Sequence, residues 1–117
     1  VLRVGSLLLG EPAGPLAGET FPDVCVDVEG TLFDRDGNLR EEVVALVHAE
    51  ATTRPVTIWT GGDVKHYQKK VRASGLVWKV ISKYQMRGAT VAVAFDDLPQ
   101  ARFVELYGVH VKRYIQV

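Results

Sequence analysis

The sequence contains little cysteine, no net charge and no long apolar run, and each absence excludes a class of protein. Cys25 is the only cysteine among 117 residues, so an internal disulfide is impossible, and its neighbours Val24 and Val26 predict a buried thiol on a strand. No apolar stretch approaches the roughly 20 residues that cross a bilayer, and the N-terminal residues lack the basic-then-apolar pattern of a secretory signal. We therefore expect a cytoplasmic protein without a membrane partner.

The composition is that of one folded domain. Apolar residues make up 47% and charged residues 24% of the chain, and two domains of half this length would each be too small for a good core. The net charge of zero argues against long nucleic acids as partners, because their binding depends on neutralising phosphates. Residues 63–88 nevertheless carry seven Lys and Arg side chains against one Asp. This basic block predicts either a site for an anionic substrate or a solvated helix face.

Strand-like and helix-like segments alternate from Asp23 onward. Residues 1–9 read as a strand, and a loop rich in Gly and Pro follows up to Pro22, so we expect an arm over residues 1–22 and a core over residues 23–117. Spacing predicts strands near 24–28, 56–59, 77–82, 90–95 and 109–116, and helices near 39–52, 63–74 and 99–108. Such alternation is typical of an α/β fold, here a three-layer α/β/α, Rossmann-like, mostly parallel sheet of about five strands without a cap domain.

Polar residues stand at the carboxyl ends of the predicted strands, where open parallel sheets bind their ligands. Asp27 and Glu29 share one side of the first strand end, and Gly30 lets the backbone turn sharply beside a ligand. One of the two carboxylates can attack a phosphorus atom while the other moves a proton. The later strand ends carry Thr60 followed by Gly61 and Gly62, then Lys83, and finally Asp96 and Asp97.

These later strand ends supply the other groups that a phosphate site needs. Asp96 and Asp97 offer hard oxygen ligands, which suit Mg²⁺ bound together with phosphate oxygens. Lys83 would offset the negative charge gathered there, and Thr60, which precedes a helix N-terminus, could donate to a phosphoryl oxygen. His66 in the first turn of that helix is either a substrate contact or a solvated side chain.

The order of these groups resembles the four motifs of the haloacid dehalogenase-like hydrolase superfamily, over residues 23–117. The first motif of that family reads Asp-x-Asp-Gly-Thr followed by Leu or Val, and residues 27–32 read Asp-Val-Glu-Gly-Thr-Leu. Glu29 departs from the pattern by one methylene, as in the enolase-phosphatase branch of the family. Residues 94–100, Ala-Phe-Asp-Asp-Leu-Pro-Gln, resemble the acidic fourth motif in a form similar to the phosphatase domains of polynucleotide kinase-phosphatases.

The resemblance implies a small, capless, Mg²⁺-dependent phosphatase that forms an aspartyl-phosphate intermediate on its first Asp. The catalytic residues would be Asp27 as nucleophile, Glu29 as general acid and base, Thr60 and Lys83. The substrate-binding residues would be Thr31, Gly61, Gly62 and His66. The metal ligands would be Asp27, Glu29, Asp96 and Asp97. The phosphorylated substrate itself stays unidentified.

The short connections between motifs leave no room for a cap, so we expect an open site. An open site suits a large substrate, such as a phosphoprotein or a nucleic-acid end. It equally suits closure by a neighbouring subunit, which would make the chain a homo-oligomer held together through the arm of residues 1–22. Residues 34–38, Asp-Arg-Asp-Gly-Asn, predict a hairpin-type turn and stand where the family has its mobile flap.

Two alternatives concern the site lysine and the class of protein. Lys79 competes with Lys83, because only residues 83–89 separate two predicted strands and a parallel crossover usually needs about a dozen residues. The link is then either one tight turn or the strands are arranged differently from the family. A phosphoacceptor receiver domain is excluded by the order of the groups, since receivers place the acidic pair first and the Lys last. A relative that keeps the fold only to bind a partner is the second hypothesis for function.

Overall fold

The computed structural model describes residues 23–117, and the arm predicted for residues 1–22 lies outside this range. The strands are β1 (Val24–Asp27), β2 (Val56–Thr60), β3 (Val80–Ser82), β4 (Thr90–Asp96) and β5 (His110–Gln116). The helices are α1 (Glu41–Ala51), α2 (Val64–Ala73) and α3 (Gln100–Tyr107). The five strands form one parallel sheet in the order β3-β2-β1-β4-β5. The predicted α/β fold is confirmed, and no cap domain occurs within residues 23–117.

Both faces of the sheet are covered, which produces three layers. Val43 and Val47 of α1 and Val71 of α2 pack against one face. Phe103 of α3 packs against the other face, together with Met86 from the link between β3 and β4. All four residues of β1 are buried, as expected for the central strand of a sheet covered on both sides. Among the helices of residues 23–117, none is long and apolar enough to cross a membrane.

The buried strand thiol predicted for Cys25 is confirmed. Its side chain is fully buried on β1, on the face that α3 covers. Burial raises the pKa of the thiol well above its ordinary value, and the nearby Asp23 adds to the shift. A thiol that stays protonated in an apolar layer is a packing group and a poor nucleophile.

Helix ends follow the signals in the sequence. Asp63 precedes α2, and its side-chain Oδ1 accepts a hydrogen bond of 3.0 Å from the backbone N–H of His66. Gly75 follows the same helix with φ of 84°, a left-handed conformation that glycine adopts without steric cost. The helix that carries most of the basic block is therefore fixed at both ends by local chemistry.

The link between β3 and β4 is shorter than a normal crossover helix. Residues Lys83–Met86 form a single 3₁₀ turn, and the two strands are parallel although β2 and β1 lie between them. The tight-turn alternative is therefore correct. The link crosses the face covered by α3 and buries Met86 and Ala89 there, so it protects the sheet where a crossover helix would otherwise lie.

Strand β3 begins at Val80, later than the strand predicted near 77–82. The side chain of Gln68 on α2 accepts a hydrogen bond of 2.9 Å from the N–H of Val80 and donates one of 3.3 Å to the carbonyl of Trp78. These backbone groups are therefore satisfied by a side chain instead of a neighbouring strand. Residues 77 and 78 have strand-like composition but lie outside the pairing with β2, whereas the carbonyl of Lys79 still accepts a hydrogen bond of 2.8 Å from the N–H of Ile58.

The hairpin-type turn predicted for residues 34–38 is present. Phe33 and Leu39 pair in antiparallel fashion, and Oδ1 of Asp34 accepts hydrogen bonds of 2.9 Å from the N–H groups of Asp36 and Asn38. The ammonium group of Lys70 lies 4.6 Å above the ring of Phe33, so α2 contacts the base of this turn.

Candidate functional site

The candidate site lies at the carboxyl edge of the sheet, where β1 meets β4. From β1 the chain order runs outward to β2 and β3 on one side, and to β4 and β5 on the other. A cleft opens at such a switch point, because the connections leave it in opposite directions. A cavity of about 370 Å³ is found there, within the usual range of small-molecule sites. It is lined by Asp27, Glu29, Gly61, Gly62, Lys83, Asp96, Asp97, Leu98 and Tyr107.

Asp27 is the last residue of β1, and both of its carboxylate oxygens have partners. Oδ1 lies 2.8 Å from Nζ of Lys83, and Oδ2 accepts a hydrogen bond of 2.9 Å from the hydroxyl of Thr31. Burial raises the pKa of Asp27 to about 7, although the Lys83 ammonium opposes this shift. The side chain is therefore held in one orientation, with the charge of its ionised form only partly compensated.

Lys83 is buried between two carboxylates. Its Nζ lies 2.8 Å from Oδ1 of Asp27 and 2.9 Å from Oδ2 of Asp96, and all three side chains are nearly inaccessible. Burial alone would lower the pKa of Lys83, but the two carboxylates outweigh it and raise the pKa, so the ammonium stays charged. The competing candidate, Lys79, is exposed and does not line the cavity. The structure therefore places Lys83 at the site.

Asp96 and Asp97 complete an acidic group at the end of β4. Oxygen atoms of Asp27, Asp96 and Asp97 lie within 4.8 Å of one another, so the three residues could hold a metal ion. Burial raises the pKa of Asp96, which Lys83 and the N–H of Leu98 oppose. The cluster contains three carboxylates but only one ammonium, which contacts two of them, and a cation would balance the excess negative charge.

Gly30 permits the close approach of Asp97 to the β1 loop. Its φ is 79°, and a Cβ atom at this position would lie 2.5 Å from Oδ2 of Asp97. The hydroxyl of Thr31 also reaches Asp97, at 3.4 Å from Oδ1. The side chain of Arg40 fixes the loop from the other side, since its Nη1 donates to the carbonyl of Gly30 at 2.9 Å. A glycine is required here by both backbone conformation and space.

Glu29 and Thr60 form a second pair at the mouth of the cavity. The hydroxyl of Thr60 donates to Oε1 of Glu29 at 3.0 Å and accepts a hydrogen bond of 2.9 Å from the N–H of Gly62. Glu29 is exposed and is not a member of the acidic group around Asp27. Its assignments as metal ligand and as general acid and base remain predictions, as does phosphate binding by Thr60.

The fold brings two of the predicted substrate-binding residues to the cavity but not His66. Gly61 and Gly62 line the cavity, but His66 does not. Its ring lies exposed on α2, packed edge-on against Tyr67 with 4.8 Å between ring centroids. The structure therefore favours the solvated alternative for His66.

The basic block of residues 63–88 also divides into a residue at the site and residues on the surface. Lys83 alone among its seven cations is buried in the site. The half-buried Lys70 contacts Phe33, and the others lie exposed on the surface: Lys65, Lys69, Arg72, Lys79 and Arg87. Most of the block is a solvated surface, and one residue of it, Lys83, offsets part of the negative charge of the carboxylates.

Sequence reasoning missed Leu98 and Tyr107, which line the cavity on the side of α3. Leu98 follows the acidic pair directly, so its position beside that motif could have indicated it. Its carbonyl accepts a hydrogen bond of 2.7 Å from the hydroxyl of Tyr114, which holds this loop against β5. Tyr107 ends α3, and its ring lies 4.4 Å from Nζ of Lys83. No local pattern marks it, because tertiary packing brings it to the site.

Comparisons of the chain with protein-family models, with curated proteins and with solved structures find no match. The resemblance to the haloacid dehalogenase-like superfamily therefore stays a prediction that depends on the motifs quoted above. The α/β fold and the acidic group at its switch point are structural findings in their own right.

Proposed function

We propose that this protein is a Mg²⁺-dependent phosphatase that hydrolyses phosphate monoesters through an aspartyl-phosphate on Asp27. The observation that supports this function best is the arrangement around Asp27 at the switch point of the sheet. A buried carboxylate is oriented there by Lys83 and Thr31, and two further carboxylates lie within reach of a shared cation. Such a cluster combines a positioned nucleophile with positive charge, from Lys83 and from a bound cation, that can offset the negative charge of a phosphate.

Phosphoryl transfer to the protein is the first step of the proposed reaction. A carboxylate oxygen of Asp27 attacks phosphorus, a new O–P bond forms, and the bond from phosphorus to the ester oxygen breaks. The departing oxygen takes its proton from Glu29, whose carboxyl group lines the same cavity. Lys83 remains beside the acceptor oxygen and offsets the charge carried by the transferred group.

Hydrolysis of the aspartyl-phosphate is the second step. Glu29, now ionised, accepts a proton from a water molecule that attacks phosphorus, and the bond between phosphorus and Asp27 breaks. Inorganic phosphate leaves, and both carboxyl groups return to their starting states. Thr60 keeps Glu29 at the mouth of the cavity through the hydrogen bond of 3.0 Å to Oε1.

Asp27, Asp96 and Asp97 fit the proposed metal ion. All three supply carboxylate oxygens, the hard ligands that Mg²⁺ prefers, and a small number of protein ligands leaves positions for water and phosphate. When bound, Mg²⁺ supplies positive charge that screens the repulsion between a carboxylate and an anionic phosphate ester. Gly30 keeps Asp97 close enough to take part.

The test is release of phosphate from p-nitrophenyl phosphate by the full chain, with Mg²⁺ and with a chelator. Asp27→Asn should fold and lose all activity, whereas Asp34→Asn, a matched change on the exposed turn, should keep it. Full activity in Asp27→Asn would rule out the proposed nucleophile. Mg²⁺ binding without turnover of any phosphate ester would favour the second hypothesis, a binding protein that retains the fold.

A further inference from the structure

The two sides of the candidate cavity differ in chemistry. Its base carries the carboxylates and Lys83, whereas the side toward α3 is formed by Leu98 and Tyr107. Next to Tyr107 lies Tyr84, with 5.6 Å between the ring centroids. We propose that this apolar wall, formed by Leu98, Tyr107 and Tyr84, selects phosphate esters of aromatic alcohols by contacting their ring. The inference rests on the proposed phosphatase function and specifies its class of substrate.

Tyr107 is held rigidly in this wall. Its ring packs against Phe103 at a centroid distance of 5.4 Å, and the Lys83 ammonium lies 4.4 Å from its centroid. Phe103 is itself fully buried against the sheet. A ring fixed in this way loses little further conformational freedom on binding, so contact with a substrate ring is favourable.

Tyr84 extends the wall toward solvent. It follows Lys83 in the 3₁₀ turn, and 57% of its surface is exposed. The backbone N–H of Tyr84 donates to Oγ of Ser82 at 3.2 Å, which anchors the turn independently of the ring. Tyr84 does not line the cavity itself, but its exposed ring lies beside the cavity-lining Tyr107 and offers a surface on which an apolar group can pack.

Gly61 lies in near contact with the outer end of Tyr107. A Cβ atom on Gly61 would lie 3.1 Å from the hydroxyl oxygen of Tyr107, so no ring can enter between these two residues. A ring attached directly to the phosphate therefore packs on the face of the wall that borders the cavity. A flat aromatic ring makes a wider contact with such a face than a puckered ring of the same size.

The experiment compares binding of phenylphosphonate and cyclohexylphosphonate to the full chain with saturating Mg²⁺, by calorimetry. Both probes carry the same charge and a ring of six carbons, but only one ring is aromatic. We expect phenylphosphonate to bind about fivefold more tightly, the scale of one aromatic contact. Tyr84→Ala should bring the two affinities close together, and Tyr84→Phe should restore the preference. Val77→Ala, at an exposed apolar position on another surface, is the matched control.

The other outcomes would contradict either the aromatic selection alone or the phosphatase function as well. Equal affinities in the unmodified protein, or a preference that survives in Tyr84→Ala, would overturn the aromatic selection and leave the phosphatase proposal standing. Failure of both probes to bind would overturn both.

A second comparison separates two sources of the aromatic phosphate. Faster hydrolysis of a phosphotyrosine peptide than of phenyl phosphate would assign the ring to a protein side chain, and the reverse would assign it to a small molecule. Faster hydrolysis of the matching phosphoserine peptide would overturn the inference.

Discussion

Replacement of Lys83 by Met tests whether the buried ammonium holds the site together. The substitution keeps an unbranched side chain of similar length, but it leaves the carboxylates of Asp27 and Asp96 buried without the cation that lies 2.8 and 2.9 Å from them. Breaking a buried ion pair by removing one partner costs about 3 to 5 kcal/mol. That is a large part of the roughly 5 to 15 kcal/mol by which domains are stable.

Urea unfolding of the metal-free protein measures this loss. With an m-value of about 1.5 kcal/mol per molar urea, a loss of about 3 kcal/mol lowers the midpoint by about 2 M. The loss should be smaller at pH 5 than at pH 8, because the carboxyl groups can be protonated at the lower pH and then no longer repel one another. Mg²⁺ should restore part of the stability, by about 2.7 kcal/mol at a hundredfold excess over its dissociation constant.

Lys79→Met is the matched control, since Lys79 is exposed and lies in the same part of the chain. Its free energy of unfolding should stay within about 0.5 kcal/mol of that of the unmodified protein. An unchanged midpoint in Lys83→Met would refute the reasoning. A loss of equal size at pH 5 and pH 8 would show that the side chain acts through packing and not through its charge.

Three further outcomes follow from the geometry. Because burial raises the pKa of Asp27 to about 7 from its ordinary value of 3.8, the protonated carboxyl favours folding. Stability of the metal-free protein should therefore fall as pH rises from about 4 to 7, and calorimetric affinity for Mg²⁺ should rise over the same range. Both trends should be weaker in Asp27→Asn, where only Asp96 still has a raised pKa among the buried carboxylates of the acidic group. Gly30→Ala and Gly75→Ala both place alanine at positive φ, which should lower the free energy of unfolding in urea by about 1 kcal/mol in each variant. Only Gly30→Ala adds a clash of the Cβ with Asp97, so it should be the less stable of the two and should also weaken Mg²⁺ binding. Gln68→Leu removes the side chain that satisfies Val80 and Trp78, and should lower the urea-derived free energy of unfolding by about 1 to 3 kcal/mol; an unchanged midpoint would contradict that role.

The helices and strands were predictable where residues close in sequence determine their ends. Asp63 and Gly75 mark the ends of α2, and the alternation of apolar runs with amphipathic segments implies the parallel sheet. The prediction placed the start of β3 too early because residues 77–79 have the composition of a strand. The Gln68 side chain, which satisfies the N–H of Val80 on the open edge of β3, belongs to another element and carries no signal of its own.

At the site, too, residues placed by local sequence were predictable and residues placed by tertiary packing were not. Asp27 and Asp96 were predictable neighbours, because both follow apolar runs and the carboxyl ends of parallel strands meet at one edge. The choice between Lys79 and Lys83 depends on the conformation of the link between β3 and β4. The sequence was compatible with two conformations of this link. Tyr107 was beyond sequence reasoning, since its place beside Lys83 results from how α3 packs across the sheet.

The central position of β1 also constrains how the protein folds. β1 pairs with β4 between Val24 and Val93, and the hydrogen bond from Thr31 to Asp97 spans 66 residues. Contacts of such high sequence separation slow folding, because a long loop must close before they form. Asp27 and the acidic pair therefore meet only after nearly the whole described chain has been arranged around them. During refolding, affinity for a divalent cation should appear late, together with the last cooperative step, so partly folded molecules would bind neither metal nor phosphate.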